Sequence, residues 1–286
     1  GGGLRNIVTG NCSTVSGGGS NTVSGIYSAV GGGQNNCVVS ARSIVGGGQN
    51  NLICVSSDNS VISGGKYNTI SASNIFVGGG FCNNGAGPLS TISGGYCNTT
   101  SSSANNSVIV GGSRNLANTC YSVVVGGDRG KTLRYGEVSH SNGGFGGVLG
   151  TAQHGTVTLW RSISANSTAE LYADGTSAAN GTNVNYFAIP ASTFVTFEVQ
   201  VAIISITSQH RGWYVARGGV SPTGSPAAPT ILGSLIEEYE YSIAGMSVSV
   251  DVIGGDRLRV QVTAPVGQDL RAVATIRYTQ SSNGTP

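Results

Sequence analysis

The stretch that decides the fold is Ser43-Ile44-Val45-Gly46-Gly47-Gly48-Gln49-Asn50, echoed downstream by Ser60-Val61-Ile62-Ser63-Gly64-Gly65-Lys66-Tyr67-Asn68. Each joins a short β-branched run to a Gly pair or triplet and closes on Asn. Val and Ile favour extended backbone. Gly supplies the φ > 0 or close-approach geometry of a tight corner, and Asn and Ser satisfy turn backbone through short side-chain hydrogen bonds. The unit is roughly V-x-G-G-G-x-x-N-x-V-x-S. Its Asn recurs at Asn6, Asn21, Asn35, Asn50, Asn68, Asn83, Asn98 and Asn115, with Gly130 at the ninth place. The steps are 15, 14, 15, 18, 15, 15, 17 and 15 residues. Self-similarity at a fixed period marks a stacked repeat. One coil per ~15 residues sets equivalent residues about 4.8 Å apart and predicts ladders of Val, Gly and Asn. Residues 1–127 therefore read as a β-solenoid of about nine rungs. A helix is excluded by 47 Gly in 286 residues and by the scarcity of Ala, Leu, Glu and Lys in the repeats.

Composition narrows the function classes. Charged residues make up 9% of the chain, against roughly a quarter in ordinary soluble domains. The net charge is +2, with Lys and Arg scattered singly, which speaks against a nucleic-acid partner. No apolar run approaches the ~20 residues of a membrane span. Between Gly1 and Gly127 the only acid is Asp58 and the only bases are Arg5, Arg42, Lys66 and Arg114; so neutral a surface suits hydroxyl-rich partners. The chain opens on Gly1-Gly2-Gly3, inside a repeat and without a start Met, and reads as a fragment or processed product.

A coil of this length carries only two to four Val or Ile, too little apolar area to close a dry core in one chain. Three chains sharing one core, with Gly at the crowded axis, would resolve that, so a homotrimer is expected. The six cysteines (Cys12, Cys37, Cys54, Cys82, Cys97, Cys120) follow the repeat rather than a metal-ligand spacing and are expected to act as small buried apolar residues. Cys82 and Cys97 each precede a repeat Asn, so they should stack on neighbouring rungs. Free thiols are expected there, with a Cys82–Cys97 bridge as the alternative.

The pattern fades after Gly127. Residues 128–156 read as a tapering neck that caps the solenoid. From Val157 to Pro286 Gly thins out and period-2 alternation begins. Val195, Phe197, Val199, Val201 and Ile203 share one face, opposite Thr196, Glu198 and Gln200. Val248, Val250 and Val252 lead through Gly254-Gly255-Asp256 to Leu258, Val260 and Val262, a hairpin with a Gly-rich turn. A last strand covers Arg271 to Tyr278. Seven to nine strands of this kind indicate an antiparallel β-sandwich, jelly-roll-like, so the whole chain is expected to be all-β.

The two halves together resemble tail-fibre or tail-appendage proteins of bacteriophages. The repeats quoted above are similar to those of phage fibres and also to the head repeats of bacterial trimeric autotransporter adhesins; the repeat alone does not separate the two. The second half carries further likeness in Tyr135-Gly136-Glu137, Gly144-Phe145-Gly146, Ala152-Gln153-His154-Gly155 and Thr158-Leu159-Trp160-Arg161. It continues in Ala169 to Gly175, Ala188-Ile189-Pro190, Thr193 to Phe197, Arg257 to Thr263, Gly267 and Arg271 to Thr275. The very Gly-rich shaft and the loop Ser221 to Pro229 depart from the pattern and leave the ligand open. The resemblance implies a trimeric virion appendage, joined to other tail proteins upstream and able to touch a host surface. An adhesin would continue into a heptad stalk and a membrane-anchoring barrel, neither of which appears before Pro286.

Glycan hydrolysis needs two carboxylates across a sugar-sized cleft. The shaft offers one acid, Asp58, and Glu237, Glu238 and Glu240 read as a solvated polar edge. His140, His154 and His210 are too dispersed for a local metal motif; only three copies of His140 or His154 meeting on an axis would make one. No nucleophile elbow or phosphate-binding loop is present. The expectation is therefore a chain that is no enzyme, with no catalytic residue, cofactor or metal, and a polysaccharide depolymerase stands as the opposing reading. For glycan binding, Trp213 and Tyr214 beside the polar His210 and Arg211 come first, then Tyr239 and Tyr241. Trp160 is expected in the core.

Overall fold

The computed structural model describes residues 2–175, 186–190, 192–208, 210–222, 229–233, 235–253 and 257–282. Among them the secondary structure is β throughout apart from one 3-10 turn at Phe145–Gly147, and no helix is long and apolar enough to cross a membrane. The chain divides into two compact units, Gly1–Thr132 with His140–Asn142, and Leu133–Ser139 with Gly143–Pro286.

The first unit is a β-solenoid. Parallel bridges join Leu4, Gly19, Gln34, Gln49, Lys66, Phe81, Tyr96, Ser113 and Asp128 in succession, one per rung. Each coil contributes two-residue strands to two parallel ladders. One contains Thr22–Val23, Cys37–Val38, Leu52–Ile53 and Thr69–Ile70; the other contains Ala29–Val30, Ile44–Val45, Val61–Ile62 and Phe76–Val77. The second residue of each strand points inward, and Val23, Val38, Ile53, Ile70, Val30, Val45, Ile62 and Val77 are fully buried.

Between the ladders runs a buried column of Asn that corrects the sequence register. It consists of Asn6, Asn21, Asn36, Asn51, Asn68, Asn83, Asn98 and Asn115, each passing its carboxamide oxygen to the backbone N–H of the next, with Gly130 N–H closing the series. At Asn35–Asn36 and Asn50–Asn51 the second of the two enters the column, whereas at Asn83–Asn84 the first does. Asn35 and Asn50 lie outside it in the left-handed region, both at φ +55°. The steps are then 15 or 17 residues throughout. The Gly before the column has two different duties. At Gly65, φ is +86° and a Cβ would fall 2.2 Å from the Gly80 carbonyl oxygen, whereas at Gly64 a Cβ would meet nothing.

The core closes within a single chain, so the argument from a half-wet core does not carry the expectation of three chains. The side chains that the sequence left half-wet are dry within a single chain, where the Asn column closes one corner and stacked Ser, interrupted by Ile75, line the other with internal hydrogen bonds. The cysteine expectation also changes. All six are free thiols, but only Cys120 is buried, and Cys12 and Cys82 are exposed at turn positions with φ +56° and +60°. Cys82 and Cys97 are neighbours, and burial with the Cys82 contact pushes the Cys97 thiol up.

In the second unit one sheet orders Ala152–Ile163, Leu270–Ser282, Thr193–Ser205 and Arg211–Pro222 side by side, antiparallel throughout; Pro229–Ile231 and Ile236–Tyr241 both pair with Arg211–Pro222. A smaller antiparallel sheet centres on Arg257–Ala264, flanked by Ser167–Glu170, Phe187–Ala188 and Ser247–Ile253. The inward residues of both sheets form one hydrophobic cluster that includes Val195 to Ile203, Val260 and Ile276. The alternation at 195–203 and the pairing of 247–253 with 257–264 match the sequence reading. The expected turn at Gly254-Gly255-Asp256 and positions 223–228 of the loop lie outside the described residues.

The Tyr-Gly-Glu step acquires a structural role here. Arg134 and Glu137 are both fully buried and ion-paired at 3.0 Å. The guanidinium lies over the Phe187 ring at 3.9 Å and the Tyr278 ring at 4.5 Å, and donates to the Ala188 carbonyl and the Gln280 side chain. Tyr278 donates its hydroxyl to Glu137.

Candidate functional site

Because side chains alternate along a strand, the residues that do not enter the core cover the outer face of the large sheet. The cross-strand register places Trp160, Val273, Ala202, Trp213 and Glu240 in one row. Trp160 is 46% exposed and Trp213 43%. Three strand spacings separate the two indoles, about 14 Å, the length of a short oligosaccharide rather than one ring. Val273 and Ala202 keep the floor between them low. Gly175 lies against Trp160 so closely that a Cβ there would fall 2.3 Å from the ring, which fixes one indole face against backbone. The Trp213 indole N–H donates to Glu240 at 3.4 Å.

Trp160 therefore corrects the expectation that placed it in the core. It shares parity with the outward Thr158 and Ser162, while Val157, Leu159 and Ile163 point inward.

Polar groups flank the row on both sides. Toward one end, Arg217 binds Glu198 at 2.7 Å and Glu238 at 3.4 Å, and Gln200 donates to Glu198 at 2.7 Å. The Arg217 hydrogen bond holds the Glu198 carboxyl below the usual carboxylate range, so it stays ionised and accepts hydrogen bonds. Beyond it lies a shallow depression of about 420 Å³ lined by His154, Thr156, Thr196, Glu198, Arg277 and Thr279. Toward the other end, Ser162, Arg271, Ile204 and Arg211 form the adjoining row.

The six sequence candidates divide between faces. Trp213 and Arg211 come together on the outer face, and His210 is exposed at the strand start, its carbonyl accepting from Ser205 N–H. Tyr214 points into the core at 1% exposure and donates its hydroxyl to Glu237, so its ring is no surface platform. Tyr239 and Tyr241 stack at 5.0 Å on the core-facing side of the edge strand, where Tyr239 is nevertheless exposed; burial pushes the Tyr241 phenol up to about 12. Trp160, Val273, Arg271, Glu198 and Arg277 had no place in the sequence-derived site. Their signal was parity, readable only once the strand register was known. Among the described residues no group of three or more His, Cys, Asp or Glu could hold a metal ion.

No protein family and no curated protein matches the sequence. Similar solved structures include the tailspike protein of Acinetobacter baumannii phage AM24, with 9% identity and a TM-score of 0.28, over 99% of this chain and 55% of that one. Another is tailspike protein gp49 of Acinetobacter baumannii bacteriophage Fri1, described as a capsular polysaccharide depolymerase, with 6% identity and a TM-score of 0.23, over 98% and 60%. A third is the Acinetobacter phage vB_ApiP_P1 tailspike protein, with 10% identity and a TM-score of 0.26, over 98% and 58%. The chain thus spans little more than half the length of these proteins. The expectation that it is no enzyme is corrected here. It rested on a shortage of acids, and one of these matches is described as a depolymerase, so that shortage no longer serves to exclude hydrolysis. At these TM-scores the functional reading rests on the chain's own geometry.

Proposed function

We propose that the chain is part of a homotrimeric bacteriophage tail appendage, carried on the virion behind other tail proteins, whose β-sandwich tip recognises a host-surface polysaccharide. The observation that carries this reading is the row Trp160–Val273–Ala202–Trp213, two exposed indoles with a low apolar floor between them. Sugar rings present C–H faces that stack on such rings, and their hydroxyls suit the ionised Glu198 and the amide and hydroxyl groups around it. The repeat and the motifs of the second half support the virion assignment through their resemblance to phage appendages.

The test is binding of the intact protein to capsular polysaccharide and lipopolysaccharide from a strain panel, by biolayer interferometry. Trp160→Ala and Trp213→Ala should each weaken binding by roughly two- to twelvefold, since an aromatic contact contributes roughly 0.5–1.5 kcal/mol beyond its area burial. Unchanged binding by the double variant would sink the proposal. Oligosaccharide released in the same mixtures would assign cleavage as well as recognition. Association of three copies is supported by the uncharged series Ile44, Val61, Phe76, Thr91, Val108 and Val123 on the outside of the second ladder, apolar at every position but Thr91. Light scattering should report about three times 28.7 kDa, and a monomer mass would remove the homotrimer from the reading.

A further inference from the structure

The arginines of the second unit are nearly all engaged. Arg134 pairs with Glu137, Arg217 with Glu198 and Glu238, Arg257 with Glu170, Arg259 with Asp251 and Arg277 with Glu198. Arg161 lies over the Tyr172 ring and donates to the Glu170 carbonyl. Two are different. Arg211 and Arg271 are exposed and have no acidic partner among the described residues.

Their placement gives this meaning. Arg271 pairs with Ile204, and Ile204 with Arg211, so the two guanidinium stems rise from one row of the outer face, two strand spacings or about 10 Å apart. That row adjoins the indole row: Arg271 stands two residues from Val273 and Arg211 two residues from Trp213, about 7 Å along each strand. The nearby acids have partners of their own, including Asp269, two residues from Arg271, which accepts the Ala165 N–H. Glu198 and Glu238 are tied to Arg217, and Glu240 accepts the Trp213 indole N–H. Two cations without an acidic partner therefore border the sugar platform, Arg271 beside Val273 and Arg211 beside Trp213.

From this we infer that the polysaccharide held on the outer face is acidic, with carboxylate-bearing sugars spaced so that ring faces lie on Trp160 and Trp213 while their carboxylates meet Arg271 and Arg211. The guanidinium fork matches a carboxylate with two parallel hydrogen bonds, which a neutral hydroxyl cannot reproduce. This rests on the glycan-recognition reading above and adds the charge class of the ligand.

The decisive experiment uses the full chain and a capsular polysaccharide it binds, before and after chemical reduction of the polymer's carboxylates to primary alcohols. Reduction should weaken binding at least tenfold at physiological salt. Arg211→Gln with Arg271→Gln should weaken binding to the native polymer to the same degree and leave binding to the reduced polymer unchanged. Circular dichroism confirms that the variant folds, and both side chains are exposed, so the core is untouched. Three results overturn the inference: a bound polymer without acidic sugars, indifference to reduction, or wild-type binding by the Arg variant. Loss of binding in the Trp variants alongside any of these would leave recognition standing and remove only the acidic ligand. If no polysaccharide is bound, both fall.

Discussion

Replacing Asn51 by Ala tests the solenoid at its most connected point. Asn51 is fully buried. Its Nδ2 donates to Asn36 Oδ1 at 3.1 Å, to the Gly47 carbonyl at 3.0 Å and to the Gly65 carbonyl at 2.9 Å, while its Oδ1 accepts from Asn68 N–H at 3.0 Å and Asn68 Nδ2 at 3.1 Å. After truncation Gly65 O keeps the Gln49 N–H, but Asn68 N–H loses its acceptor. One orphaned buried donor costs about 1–3 kcal/mol and the two Nδ2 hydrogens about 1 kcal/mol net each, while Asn68 Nδ2 keeps the Gly64 and Gly80 carbonyls, so the total is roughly 3–5 kcal/mol. With a urea m-value near 3 kcal/mol/M, the midpoint should fall by about 1–1.5 M. The control is its sequence neighbour. Asn50 sits outside the column at φ +55°, and Asn50→Ala should cost no more than about 1 kcal/mol, the loss of a residue that tolerates the left-handed region. Urea titration followed by far-ultraviolet circular dichroism measures both. If the Asn50 variant shifts as far as the Asn51 variant, the register of the column is wrong.

Gly65→Ala should lose more than about 3 kcal/mol or fail to fold, since φ and the Gly80 carbonyl both exclude a Cβ, whereas Gly64→Ala should stay within about 1 kcal/mol on thermal melting. Leu89, exposed at φ +60°, should give a more stable chain as Leu89→Gly, by up to about 1 kcal/mol in the same melt. Glu137→Ala leaves the Arg134 guanidinium buried without its anion and should cost roughly 3–5 kcal/mol in urea titration. The Glu198 carboxyl titrates below its ordinary value of 4.5, so the contribution of its ion pair is full above that value and disappears as pH falls through the lower folded one. Carbon-detected NMR should find this titration moved back up in Arg217→Ala.

How much of this was legible in the sequence depends on the range over which each interaction acts. The solenoid was, because a rung is a local unit and its Gly, Asn and β-branched residues each answer to their own backbone. The exact column was not. Asn35 and Asn36 differ only in which enters the stack, and that is settled by the rungs above and below. The half-wet core was misread for a related reason: counting Val and Ile per coil omits the Asn and Ser side chains, whose hydrogen bonds close the corners without apolar area. Composition cannot distinguish an Asn that solvates a turn from one that seals a core.

The outer face shows the same limit more sharply. Period-2 alternation tells that Trp160 and Val157 point to opposite sides, but a Trp among Thr and Ser attracts the core assignment because its area is large. What places Trp160 with Trp213 is the strand order 152–163, 270–282, 193–205, 211–222, in which sequence neighbours are not sheet neighbours. The C-terminal strand inserted between the first and third brings Val273 into a row with Trp160, Ala202 and Trp213, each 60 or more residues earlier in the chain. A face assembled by such an insertion leaves no contiguous motif. Its only local trace is a large or charged residue on the polar parity of a strand, as at Trp160, Trp213, Arg211 and Arg271, and that trace becomes a candidate site only when strand order puts the four on adjoining rows.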